Sequence, residues 1–220
     1  MHTNKSTVGL TFTAINENEC ALSGIGACVD QHIVIPSEYM GRTVVKIADM
    51  AFAHNHNILS ITIPSSVKAL GDYAFAWCQA LHSVCMENHG VQSIGERCFI
   101  GCDNMLHLYL GDSLKTIGEK AFAFCSDLET LSLPYGTREV GHSAFEGCRA
   151  LTSVMLPETL RSLPDNMFGA CISLTDVSLS SLTSTIGYYA FSYCRNLRNI
   201  NVGDAVVDEL AFYGCESLAS

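Results

Sequence analysis

Basic residues are scarce in this chain. Twelve Lys and Arg face 22 Asp and Glu across 220 residues, for a net charge of −10. A nucleic-acid-binding surface is marked by a basic stripe, and none is present, so no nucleic-acid partner is expected. The same shortage disfavours anionic membrane surfaces, and the acidity reads as a solvated surface that keeps the chain soluble. Long apolar runs are missing too. None approaches the ~18–20 residues of a membrane span, so membrane insertion is not expected. The opening MHTNKSTVGLTFTAINENEC has no apolar stretch of the signal-peptide kind. Taken literally, that places a complete chain in the cytoplasm; a trimmed domain of an exported protein would look the same. No GxSxG, P-loop, GxGxxG or HExxH occurs, and the cysteines include no Cys-x-x-Cys pair. No cofactor or metal is therefore expected.

What is present is repetition. The stretch Val67–Leu81, VKALGDYAFAWCQAL, carries Ala74-Phe75, then Cys78, then Leu81. The phrase returns at Phe122 with Cys125, Phe145 with Cys148 and Phe191 with Cys194, and more loosely at Phe99 with Cys102, Phe168 with Cys171 and Phe212 with Cys215. A first copy has Phe52, with Asn55 where Cys is expected. From Phe52 to Phe212 these phenylalanines lie 23, 24, 23, 23, 23, 23 and 21 residues apart. A fixed period of this size means a stack of turns and not one globule.

Each turn has two halves. The first alternates with period two, so Ile61 and Ile63 face inward while Ser60 and Thr62 face out. Such strands, one per turn, pair in parallel and in register. In the second half Val67, Leu70, Ala74, Phe75, Cys78 and Leu81 are spaced three or four apart. That spacing predicts a turn and a short α- or 3₁₀-helix on a convex side. Glycine recurs at 71, 95, 118, 141 and 187, as expected where φ must be positive. The coil is expected to be right-handed, as parallel crossovers are.

Residues 1–31 differ from the repeat. Residues 1–7 read as a polar tail, in which the Asn4-Lys5-Ser6 sequon is a chance match. Val8–Ile15 and Cys20–Ile25 read as a hairpin that caps the stack. Residues 32–220 form the solenoid, of about eight turns by the Phe count. The last turn is short, no C-terminal cap is visible, and Leu218 is expected to open a strand that nothing follows. An open edge of that kind predicts self-association.

Seven of the eleven cysteines share one repeat position. Neighbouring turns lie about 4.7–4.9 Å apart. A disulfide wants Cβ atoms about 3.5–4.5 Å apart and converging. The column is therefore expected to hold buried, reduced thiols that act as small hydrophobes.

The recurrent phrase IP-x-S-V-x-x-I-G-x-x-A-F-x-x-C-x-x-L resembles the BspA-like branch of the leucine-rich repeats over about residues 32–218. The resemblance implies an α/β leucine-rich-repeat solenoid, rich in β, with a parallel sheet on its concave side. It also implies an exported or surface-attached protein that adheres to host proteins or other cells, and a binding role without a particular ligand.

Three places invite chemistry. His54 and His56 are a close pair, but a metal site needs three or four ligands. Cys85 faces outward near His82 or His107, yet nothing marks an oxyanion hole. The outward sheet face is small and hydroxylic, with Tyr109 and Met155 standing out. A recognition or adhesion module that binds a protein or glycan there is the leading reading, centred on His107, Tyr109, Ser132 and Met155. A structural spacer within a larger surface protein is the alternative, and an enzyme ranks last.

Overall fold

The computed structural model describes residues 6–218. Asn4 and Lys5 of the sequon, most of the expected tail, and Ala219-Ser220 lie outside the described residues. Thr11–Ala14 (β1) and Glu19–Gly24 (β2) form an antiparallel hairpin. Its turn is held by Asn16, whose Oδ1 accepts from the Asn18 and Glu19 amides. His32–Val34 (β3) opens the stack. Glu38–Tyr39 (β4) folds back on Arg42–Ile47 (β5) through Met40 and Gly41, both at positive φ.

From there each turn contributes a longer and a shorter strand, except the last, whose two strands are both two residues long. The pairs are Ser60–Ile63 (β6) with Ala69–Leu70 (β7), and Ser83–Met86 (β8) with Ser93–Ile94 (β9). Next come His107–Tyr109 (β10) with Thr116–Ile117 (β11), and Thr130–Ser132 (β12) with Glu139–Val140 (β13). Ser153–Met155 (β14) with Ser162–Leu163 (β15) and Asp176–Ser178 (β16) with Thr185–Ile186 (β17) follow. Asn199–Ile200 (β18) with Val206–Val207 (β19) complete about eight stacked turns.

The longer strands make one parallel ladder and the shorter ones another. The first ladder is interrupted between β10 and β12, and the second between β13 and β15, a turn later. Register is that of the repeat, with Ile61 opposite Val84 and Val84 opposite Leu108. The hairpin joins the second ladder through β2, which lies parallel to β5.

The core is a column of eight stacked phenylalanines. Rings from Phe52 to Phe212 sit 4.8 to 5.7 Å apart and within 20° of parallel. That spacing explains why the expected α/3₁₀ turns are not formed: among the described residues there is no helix. A helix with its side chains is about 10–12 Å across, twice the rise from one turn to the next. The chain instead makes a run of tight turns around each Phe. Amides of Ala74, Ala76 and Cys78 bond back to Gly71, Tyr73 and Phe75, while those of Tyr73, Phe75 and Trp77 reach forward to Glu96, Cys98 and Ile100. A helix would keep all six within one turn and leave the next turn's carbonyls unpaired.

The glycine column also has a different cause from the expected one. None of Gly71, Gly95, Gly118, Gly141 or Gly187 has positive φ; that conformation falls on Tyr73, Trp77, Arg97, Lys120, Phe124 and their equivalents. The glycines serve close stacking. A Cβ at Gly141 would stand 2.4 Å from the Glu119 nitrogen and 2.6 Å from the Gly118 carbonyl carbon, both rigid backbone. Gly141→Ala should therefore cost about 1–3 kcal/mol, as overpacking does. At Gly136 nothing lies nearer than 3.3 Å, so Gly136→Ala should stay within about 0.5 kcal/mol. Urea midpoints of the two variants check the contrast; equal shifts would show that the column tolerates a side chain.

Leu218 does not open a strand. It occupies the column of Leu81 and Leu197, two residues before each strand begins, and its side chain packs on the core from a bend.

Candidate functional site

The outward face of the first ladder is built by alternation. Every inward Ile, Val or Leu leaves its neighbours pointing to solvent. In the turns of β3, β6 and β8 those neighbours are mostly half-buried; from His107 onward they are exposed. Tyr109 is 51% and Met155 68% exposed, and Ser132 and His107 are also open. The Tyr109 hydroxyl donates to Asn88 Oδ1 at 2.8 Å, which anchors the ring's tip and leaves its face free. Register sets Tyr109 beside Cys85, and Ser132 beside Met155. The four residues thus fall in two pairs. His107 and Tyr109 stand on the last strand of one ladder segment, Ser132 and Met155 on the first two strands of the next.

His107 lies opposite Ser83, not Cys85. Burial and then the Glu87 charge push the Cys85 thiol up, the wrong direction for a nucleophile. His54 and His56 are exposed, and no group of three or more His, Cys, Asp or Glu among the described residues is arranged to hold a metal ion. The seven column thiols have a structural role. Each donates to the carbonyl of the Phe of the preceding turn, from Cys78 on Phe52 at 3.1 Å to Cys215 on Phe191 at 3.0 Å. All eleven cysteines are free.

The turn face holds features that the repeat phrase hides. The position two after each Phe has positive φ and reads His54, Trp77, Gly101, Phe124, Gly147, Ala170, Tyr193, Gly214. Trp77, Phe124 and Tyr193 lean on Gly101, Gly147 and Gly214 of the following turn; a Cβ at Gly101 would stand 2.2 Å from the Trp77 ring. The signal is the aromatic–glycine alternation within one column. The position just after each Phe begins apolar, as Ala53, Ala76, Ile100 and Ala123, which form a small cluster of their own. It then turns to Glu146, Gly169 and Ser192. A recess of about 320 Å³ opens at those turns, lined by Glu146, Asn166, Ala170, Tyr189, Ser192 and Tyr193 among others. Asn166 Nδ2 donates to Ser143 Oγ at 3.0 Å, and Ser192 Oγ donates to Asn166 Oδ1 at 3.4 Å. Tyr213 meets the rings of Tyr189 and Tyr193 edge-on, at 5.8 and 5.4 Å.

Comparison with known proteins gives a consistent result. The family model described as "BspA type Leucine rich repeat region (6 copies)" matches residues 30–133 and 92–219. A T. pallidum leucine-rich-repeat protein, TpLRR, is 26% identical, with a TM-score of 0.81 over 89% of this chain and 92% of its own. A leucine-rich cell surface protein of Faecalibacterium prausnitzii A2-165 is 18% identical, with a TM-score of 0.67 over 97% and 86%. A leucine-rich-repeat protein of Bacteroides ovatus is 24% identical, with a TM-score of 0.67 over 98% and 70%. The last two likenesses speak to the fold alone. No curated protein matches.

Proposed function

The chain belongs to the BspA-type leucine-rich-repeat family, and from that premise we propose that it is a non-enzymatic recognition module which binds a protein or glycan on the face of its longer strands. One observation carries the reading: on that face, a row that is mostly half-buried in the early turns opens at His107, and a large aromatic stands at the opening. Tyr offers a wide apolar surface with little entropy to lose, and such residues dominate interface hot spots. Around it, Ser132, Ser153 and Thr130 present small hydroxyls that a backbone or a sugar can approach. Met155 adds an adaptable apolar contact. The hairpin of β1 and β2, within residues 1–31, serves in this reading as the stack's cap, and the protein works at a cell surface or outside the cell.

The test starts with a panel of glycans and extracellular-matrix proteins to find a ligand. Tyr109→Ala is then expected to weaken it by more than about 1 kcal/mol. The fold should survive, because the ring points away from the core. Unchanged affinity in Tyr109→Ala, with loss on substituting Trp77 and Phe124 instead, would move the site to the turn face. No saturable ligand at all would favour a spacer.

A further inference from the structure

The recess on the turn face is a departure from the repeat, confined to three successive turns. Where the earlier turns place Ala76, Ile100 and Ala123 against one another, these place Glu146, Gly169 and Ser192. Apolar packing is given up there, and an open hollow of about 320 Å³ results. Two adjacent small residues in its lining, Gly169 and Ala170, leave the space, and Tyr193 closes it on one side.

The walls specify a ligand chemistry. Tyr189 and Tyr193 supply aromatic rings, and Tyr213 holds both edge-on, so they are set before anything binds. Glu146 is half-buried, and it joins none of the ion pairs among the described residues. Its neighbours Asn166 and Ser192 engage each other and Ser143, so they do not neutralise its charge. An unpaired carboxylate that lines the same hollow as two tyrosine rings attracts a cation twice, by charge and through the ring quadrupoles. The net charge of −10 reinforces approach of a basic group.

We propose that this recess, lined by Glu146, Tyr189 and Tyr193, is a second binding site, and that it takes the cationic side chain of a lysine or arginine from a partner protein. It lies away from Tyr109 and is independent of the site proposed there. The ammonium or guanidinium sits against Glu146, the alkyl stem lies along the tyrosine rings, and the Asn166 amide oxygen and Ser192 hydroxyl accept what hydrogen bonds remain.

The probes are N-acetyl-lysine methylamide, N-acetyl-arginine methylamide and the neutral N-acetyl-norleucine methylamide, titrated into the full chain and followed by NMR. The expected result is saturable shifts of the Tyr189 and Tyr193 rings with the two cations only, weakened by added salt. Glu146→Gln, which keeps the shape, and Tyr193→Leu should each weaken binding about tenfold, while Tyr109→Ala should not change it. Equal shifts with the norleucine probe would overturn the proposal. So would binding that Glu146→Gln leaves intact, the absence of any saturable shift, or shifts produced by a neutral oligosaccharide in place of the cations.

Discussion

Raising the pH from about 8 to about 10 is expected to strip the folded chain of much of its resistance to urea. Burial pushes the Cys78 and Cys148 thiols up to about 12 from 9.0. It also pushes Cys102, Cys125, Cys171 and Cys194 well up. In the unfolded chain the same groups ionise near the ordinary value, so between the two values the unfolded state holds fewer protons. The contribution to stability is complete below the unfolded value and is lost as the pH climbs toward the folded one. For Cys148 alone the loss by pH 10 is on the order of 1 kcal/mol. Its companions act in the same direction, and their joint effect is the largest expected here. Urea midpoints across the range, with thiol titration alongside, make the check. Few thiols should react in the folded chain and all eleven once it is denatured without reductant. Cys148→Ala should soften the pH dependence. A midpoint indifferent to alkali, or a denatured thiol count near zero, would show that the column does not hold buried free thiols.

Phe145→Ala should cost about 3–5 kcal/mol, the range for a fully buried Phe. Its ring is enclosed between Phe122 at 5.4 Å and Phe168 at 5.7 Å and is 0% exposed. Phe212 has one stacking partner, Phe191 at 5.5 Å, and is partly open. Phe212→Ala should therefore cost clearly less. Equal, small shifts in the two midpoints would mean that the rings do not form a shared core.

The stack is readable in the sequence because each turn repeats the same inward set, and period-two alternation fixes which side chains of Ser60–Ile63 point in. The form of the second half is not. Spacing of three and four suits a helix and a run of tight turns equally, and only the distance to the next turn decides between them. The glycines mislead for a related reason. Gly118 reads as a conformational need, whereas its cause is the backbone of Gly95 in the preceding turn, which no local pattern records. Tyr109 stands out as a large residue in a small-residue column. The recess at Glu146 does not, because it arises from three substitutions some two dozen residues apart, each ordinary alone.

The gaps in the two ladders are staggered. Bricklayers offset their joints for the same purpose, so that no crack finds a straight path through the wall. Where β10 and β12 lack a ladder bond, β11 still pairs with β13 and the Cys148 thiol still reaches Phe122. A course further on, β13 and β15 are unjoined, yet β12 pairs with β14 and the Phe145 amide bonds to Met167. A pull along the axis therefore meets a bonded strand at every level, and the chain should yield to tension by shearing across two courses and not by opening at one.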